Sequence, residues 1–191
     1  WFEKRKLQID GARKKCLILD LDNTLWGGVL GEDGVEGIKI GGDYPGNAFL
    51  YFQEGIAELG RHGVILAVCS KNNEADVIEA WKANPFMKLT ERYLSAYRIN
   101  WENKADNIRS IARELNIGLD SMVFVDDNPI ERELVRQELP MVAVPEFPKR
   151  PYGLMDLLQT LVDDYFRAYN LTSEDLAKTE QYKACLLYTS P

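Results

Sequence analysis

The apolar run Cys16-Leu17-Ile18-Leu19 stops at two carboxylates one residue apart, Asp20 and Asp22, with Asn23 and Thr24 directly behind them. A short unbroken apolar segment of this kind reads as a strand buried on both faces, and such strands belong to parallel sheets covered by helices on either side. Ligands of open α/β sheets bind beyond the carboxyl ends of the strands, which puts Asp20 and Asp22 at the functional edge. An aspartate there can attack phosphorus while its i+2 neighbour gives or takes a proton. The same Asp-rich turn can equally serve to cap a helix or solvate a loop, so the choice rests on other residues.

Three further segments supply them. Val64 to Cys69 is a second apolar run and ends at Ser70, a hydroxyl suited to a phosphoryl oxygen. Met122 to Val125 is a third and ends at Asp126 and Asp127, hard oxygen ligands of the kind that take Mg²⁺. Between them Lys104 opens a stretch in which Ile108, Ile111, Ala112 and Leu115 recur at helical spacing. Its ammonium can neutralise an aspartate and an incoming phosphate together. Lys71 beside Ser70 and the amides at helix starts are additional anion donors. Each residue has a plain structural alternative: Ser70 as a turn residue, Lys104 as a solvated first-turn side chain, the aspartate pair as caps before Pro129. Each stands at the end of a strand or the start of a helix, and together they supply the residue types an aspartyl-phosphate mechanism requires.

The series LILDLDNT, LAVCS, Lys104 and VFVDDNP resembles the four motifs of the haloacid dehalogenase (HAD) superfamily of phosphotransferases. The wording between them, DLDNTLWGGVLGEDGVEGI, VCSKN, RINWENKADNI and SMVFVDDNPIERELVRQELP, is similar to the capless subfamily IIIC and its FkbH-like domains, over residues 15–184. The resemblance implies a Rossmannoid three-layer α/β sandwich with a parallel central sheet, a β-hairpin flap at 27–41 and no large cap domain. It implies Asp20 as nucleophile, Asp22 as general acid and base, and Ser70, Lys71, Lys104 and Asn23 around the phosphoryl group. Mg²⁺ is then held by Asp20, Asp22 through its carbonyl, and the 126/127 pair, with Asp127 the direct ligand and Asp126 orienting. Asn128 lines the site, and Thr24 has the structural task of fixing the turn. The activity implied is loading of a glyceryl unit from 1,3-bisphosphoglycerate onto an acyl carrier protein with phosphate release, in polyketide or surface-polysaccharide biosynthesis. A general phosphatase acting on a phosphoprotein or small phosphate ester, and a non-catalytic docking domain, are the alternatives.

Cys69 has two readings. A cysteine in an apolar strand is ordinarily a small buried hydrophobe, yet a glyceryl transferase could take the acyl group on a thiol beside the phosphoryl site. Neighbouring strand residues face opposite sides, so Cys69 reaches the pocket only if the chain leaves strand geometry there.

The insertions between Asp22 and Ser70, and between Ser70 and Lys104, have room for little beyond a flap, helices and a short strand. Phe49, Phe52, Ile56 and Leu59 give a helix up to His62, stopped by Gly63, which leaves the single histidine at a surface helix end. Asn73 to Trp81 gives another, Pro129 opens a third, and Met141 to Val144 a last short strand. Leu154, Leu157, Leu158, Leu161, Val162, Tyr165 and Phe166 predict one long amphipathic helix, and Thr172 with Asp175 predicts a capped final helix to about Ala184. The start at Trp1 and the stretch from Cys185 to Pro191, which departs from the family pattern and resembles translated adapter sequence, lead us to expect a piece of a longer protein, with residues 1–14 as a linker and 185–191 as a foreign tail.

The 191 residues carry 23 basic and 30 acidic side chains, net −7, which disfavours a nucleic-acid surface. The three cysteines have no disulfide or zinc spacing, and no apolar run has membrane length, so the expectation is a cytoplasmic enzyme without membrane or nucleic-acid partners.

Overall fold

The computed structural model describes residues 14–167 and 173–189. Strands β1 (Cys16–Leu19), β2 (Ile65–Ser70), β3 (Ala96–Ile99) and β4 (Met122–Val125) form one parallel sheet in the order β3-β2-β1-β4. Helices α1 (Leu30–Gly37) and α2 (Gly46–Arg61) connect β1 to β2, α3 (Glu74–Ala83) leads to β3, and α4 (Lys104–Leu115) leads to β4. They are followed by α5 (Pro129–Glu138), α6 (Leu154–Thr160) and α7 (Ser173–Thr189). This is the expected α/β sandwich. No helix among the described residues is long and apolar enough to cross a membrane.

Both faces of the sheet are dry, and the alternation along β1 shows why the strand has no polar position. Leu17 and Leu19 pack with Phe52 and Ile56 of α2 in one core, while Cys16 and Ile18 pack with Ile108 and Ile111 of α4 in the other. Register then sets the site. Leu19 lies opposite both Val68 and Val125, which brings the next residues, Asp20, Cys69 and Asp126, to one level at the carboxyl edge. The Asp20 amide still donates to the Val125 carbonyl at 3.0 Å, so the nucleophile position is fixed by sheet geometry.

Two caps aim the remaining residues. Asn103 Oδ1 accepts from the amides of Ala105 (2.8 Å) and Asp106 (3.2 Å), which starts α4 at Lys104. Asn128 Oδ1 accepts from the Ile130 amide at 2.9 Å with Pro129 in the first helical position. Asn128 is therefore a cap before it is anything else.

Several local expectations change. The excursion after Asp22 is closed at its base like a hairpin, by paired hydrogen bonds between Gly27 and Lys39 (2.9 and 2.7 Å), but its tip is the kinked helix α1. The amides of Val29 and Leu30 are taken by the carboxylates of Asp33 (2.8 Å) and Asp22 (2.9 Å), so they cannot join a ladder. Met141 to Val144 contributes a single bridge, Val123 to Ala143, and ends before Pro145, which has no amide to offer. The long helix after Pro151 is divided into a 3₁₀ turn (Pro151–Gly153), α6 and a π-helical turn (Leu161–Tyr165), with Leu154, Leu157, Leu158, Leu161, Val162 and Phe166 buried as their spacing predicts. Helix α7 continues past Ala184 to Thr189, and Leu186 is buried on it. Thr172 and residues 1–13 of the expected 1–14 linker lie outside the described residues. Between Asp22 and Lys104 the chain holds only α1, α2, β2, α3, β3 and a short 3₁₀ turn, so no separate cap domain is inserted there.

Candidate active site

Asp20, Asp126 and Asp127 bring carboxylate oxygens within 4.8 Å of one another at the carboxyl edge of β1 and β4. Three charges this close in a buried site repel strongly. Lys104 answers two of them: its Nζ lies 3.0 Å from Asp20 Oδ1 and 2.5 Å from Asp126 Oδ2, with all three side chains buried. Burial opposes the charged ammonium, but Asp20 and Asp126 outweigh it and hold Lys104 above the usual lysine range.

The carboxylates bear the cost. Burial, then the charge of Asp20, pushes Asp126 up to about 6 despite Lys104. Burial followed by Asp20 and Asp126 pushes Asp127 up to about 7. The donor set is all oxygen, crowded and short of positive charge, which fits a hard divalent cation. Within the pair the two aspartates differ. Asp126 uses both oxygens, on Lys104 and on the Asn128 amide (2.9 Å), and is fully buried. Asp127 is only half-buried and has its Oδ1 3.2 Å from Thr24 Oγ1.

Thr24 does more than fix a turn. Its hydroxyl lies 3.3 Å from Asp20 Oδ2 and 3.2 Å from Asp127 Oδ1, and its oxygen accepts from the Asp127 amide at 3.2 Å. One hydroxyl proton is shared between two carboxylates, so Thr24 ties β1 to β4 across the site.

Asp22 faces a different set of donors. Its Oδ1 accepts from Trp26 Nε1 (3.0 Å) and the Leu30 amide (2.9 Å), and its Oδ2 from Asn72 Nδ2 (2.9 Å). Burial raises its pKa in spite of these three hydrogen bonds, with the charge of Asp20 adding to the rise. Oδ1 has two donors and Oδ2 one, so Oδ2 is the oxygen left to carry a proton. Asn72 also donates to Ser70 Oγ at 3.3 Å, linking the second strand to the first.

Asn72 and Trp26 were not singled out from the sequence. The available signals were an asparagine two residues beyond a strand-ending serine and an indole four residues after Asp22. Three expected residues are differently placed. The Asn23 backbone is left-handed, at φ 56, and its Oδ1 accepts from the Gly28 amide at 2.8 Å, so it closes the turn. Lys71 is paired with Glu131 at 2.8 Å and half-exposed, beside Ser70 but tied to α5. The strand continues through Ser70, and Cys69 is fully buried in the core with Cys16 and Ala67, its Sγ 3.9 Å from the Lys104 carbonyl and its thiol pushed up to about 12 chiefly by burial. His62 ends α2 near Glu58, as a surface helix-end residue.

Residues 15–164 match the family model of NLI interacting factor-like phosphatases. The chain belongs to this phosphatase family, within the HAD superfamily. The family match spans β1 to the π-helical turn and so includes Asp20, Asp22, Asp126 and Asp127. A crystal structure of the N-terminal part of protein BF1531 from Bacteroides fragilis, containing a phosphatase domain and complexed with Mg, is 53% identical with a TM-score of 0.78. It covers 83% of this chain and 43% of its own, so the chain spans less than half the length of that relative. A HAD superfamily subfamily III A hydrolase from Legionella pneumophila shares the fold at 14% identity and a TM-score of 0.57, covering 94% of this chain and 97% of its own. Among curated proteins none matches the chain.

Proposed function

We propose that this phosphatase domain works through an aspartyl-phosphate on Asp20, with Mg²⁺ as cofactor, and that its substrate is a phosphorylated glycerate whose glyceryl unit is passed to an acyl carrier protein. The observation that supports the chemistry best is the separation of the two carboxylates of the Asp20-Leu21-Asp22 turn into unlike surroundings. Asp20 is paired with Lys104 at 3.0 Å, while Asp22 is held apart by Trp26, Leu30 and Asn72 with its pKa raised. Environments that separate the acidities of two neighbouring carboxylates assign a nucleophile and an acid.

In this reading an Asp20 oxygen forms a bond to phosphorus as the bond to the leaving oxygen breaks, and Asp22 gives its proton to that oxygen. Asp22 then takes a proton from water as the water oxygen bonds phosphorus and Asp20 is released with inorganic phosphate. Lys104 and Ser70 bind the transferring oxygens, and Thr24 holds Asp20 and Asp127 in register. Asp20, Asp127 and the Asp22 carbonyl are the residues that would hold Mg²⁺, with Asp126 orienting; the ion supplies positive charge for the phosphoryl oxygens. With Cys69 in the core, the proposed transfer has two separate steps: the carrier thiolate attacks the C1 carbonyl carbon of 1,3-bisphosphoglycerate and expels the 1-phosphate as the C1–O bond breaks, and the aspartyl-phosphate route on Asp20 removes the 3-phosphate. The two buried cysteines, free as thiols, suit a cytoplasmic setting.

Asp20→Asn tests the core of this reading. Mg²⁺-dependent release of phosphate from p-nitrophenyl phosphate should fall by roughly a thousandfold or more, about 4 kcal/mol of barrier. A variant retaining a tenth of the rate would sink the aspartyl-phosphate assignment. Glyceryl transfer is tested separately, by the mass of a carrier protein incubated with the full-length protein, Mg²⁺ and 1,3-bisphosphoglycerate; phosphate release with no glyceryl adduct favours the plain phosphatase.

A further inference from the structure

A cavity of about 550 Å³ adjoins the carboxylate cluster, shares Asp127 with it and is lined also by Asn23. Its volume is that of a small-molecule site. Phe49 and Phe147 provide apolar lining, and Lys149 and Arg150 line it from the segment after β4. Neither cationic side chain makes an ion pair or hydrogen bond among the described residues, and both are exposed. Every carboxylate in the lining is already answered or belongs to the catalytic cluster. Glu146 is shared by Arg136 (2.6 Å) and Arg132 (3.4 Å). Arg132, 7% exposed, is pinned by the carbonyls of Asp126 (3.0 Å) and Asp127 (2.8 Å), yet its Nε is buried with no partner.

The segment carrying the two cations is stiff. Pro145, Pro148 and Pro151 remove backbone freedom, and a Cβ at Gly153 would meet Pro148 Cβ at 2.6 Å, so the loop is packed closely on the start of the C-terminal helices. On a chain of net −7, two unpaired cations held on a rigid wall beside the reacting carboxylates are an arrangement for receiving an anion.

We propose that this cavity is a subsite for a second anionic group on the substrate, a carboxylate or phosphate borne by the leaving group, recognised by Lys149 and Arg150. The proposal rests on the phosphotransferase reading and narrows its substrate to doubly anionic phosphate esters. Single-anion esters leave both cations without a partner.

The test is a matched pair of ligands, glycerol 3-phosphate and 3-phosphoglycerate, which differ in whether the far end carries a carboxylate. Titration calorimetry on Asp20→Asn protein in excess Mg²⁺ should show 3-phosphoglycerate bound roughly tenfold more tightly, the worth of one charge-assisted hydrogen bond. Adding Lys149→Ala and Arg150→Ala should bring its affinity down to that of glycerol 3-phosphate. Propane-1,3-diyl bisphosphate identifies which second anion is preferred. Equal affinity for the pair in the protein with both cations, or equal weakening of both ligands by the double substitution, would overturn the subsite. Hydrolysis of p-nitrophenyl phosphate by the wild type, which needs no second anion, reports on the phosphotransferase reading independently.

Discussion

Replacing Lys104 by Met keeps the length of the side chain and its packing against Phe124 while deleting the ammonium that lies 3.0 Å from Asp20 and 2.5 Å from Asp126. Each contact is worth about 6 kcal/mol of Coulomb attraction at an effective dielectric near 20, but desolvation of the lysine offsets much of this. Breaking a buried pair by removing one partner costs about 3–5 kcal/mol, and that is the expected loss at pH 8 without metal. The loss should depend on pH, and the sign is fixed. Asp126 already has a folded pKa of about 6, above its unfolded value, so its stabilising effect is present at low pH and disappears as pH rises through the folded pKa. Without Lys104 the folded pKa moves higher still. The variant should therefore recover much of its deficit at pH 5, where the aspartates can take protons, and lose it again by pH 8. Urea unfolding followed by circular dichroism, in EDTA at both pH values, measures this. A deficit under about 1 kcal/mol at pH 8 would show that the aspartates do not depend on Lys104, and a deficit equal at both pH values would remove the electrostatic explanation.

The same crowding gives Asp127→Asn an unusual sign: with a folded pKa of about 7, its ionised form opposes folding. The substitution should stabilise the metal-free protein at pH 8 by roughly 1–2 kcal/mol after allowance for its partial exposure, while abolishing stabilisation by Mg²⁺ in thermal melts. Asn72→Ala removes a donor to Asp22 that favours its ionised form, so the basic limb of the kcat pH profile should move upward; an unmoved limb would separate Asn72 from the general acid. Cys69 should react with a thiol reagent only after unfolding, and Cys69→Ala should keep its phosphatase activity; rapid labelling of the native protein would place the thiol back at the surface.

The sheet and its catalytic edge were legible because both depend on local pattern. Three apolar segments, in β1, β2 and β4, had no polar interruption to misplace, and parallel register needs only that their ends coincide. Asp20, Ser70 and the 126/127 pair follow from where those segments stop, and Lys104 from where a helical pattern begins. What was not legible is set by contacts distant in the chain. The pairing of Lys71 with Glu131, the hydroxyl of Thr24 reaching Asp127 and the amide of Asn72 reaching Asp22 all join residues on different strand ends. The flap was misread for a local reason. Glycines with flanking Val29 and Ile38 suggest a hairpin, but Asp22 and Asp33 compete for the amides that a ladder would use, and the segment turns helical.

Cys69 and Ser70 show what strand parity decides about chemistry. They are adjacent, and the sequence offers Ser70 for the phosphoryl oxygens and Cys69 for either the acyl group or the core. In the structure Ser70 meets Asn72 and through it Asp22, while Cys69 lies in the buried cluster of Ile18, Ala67 and Ile108 with no exposed surface, its Sγ 3.9 Å from the Lys104 carbonyl. A thiol pushed up to about 12 is protonated at neutral pH, and the thiolate is the form that attacks an acyl group. Moving it into the pocket would require breaking the β2 to β3 register at Cys69–Arg98, beside the Ser70–Ile99 pair that positions the serine itself. A two-step route through Cys69 would therefore disrupt the phosphoryl site in order to fill the acyl site. Under the proposed transfer, direct attack by an external thiol carries no such conflict.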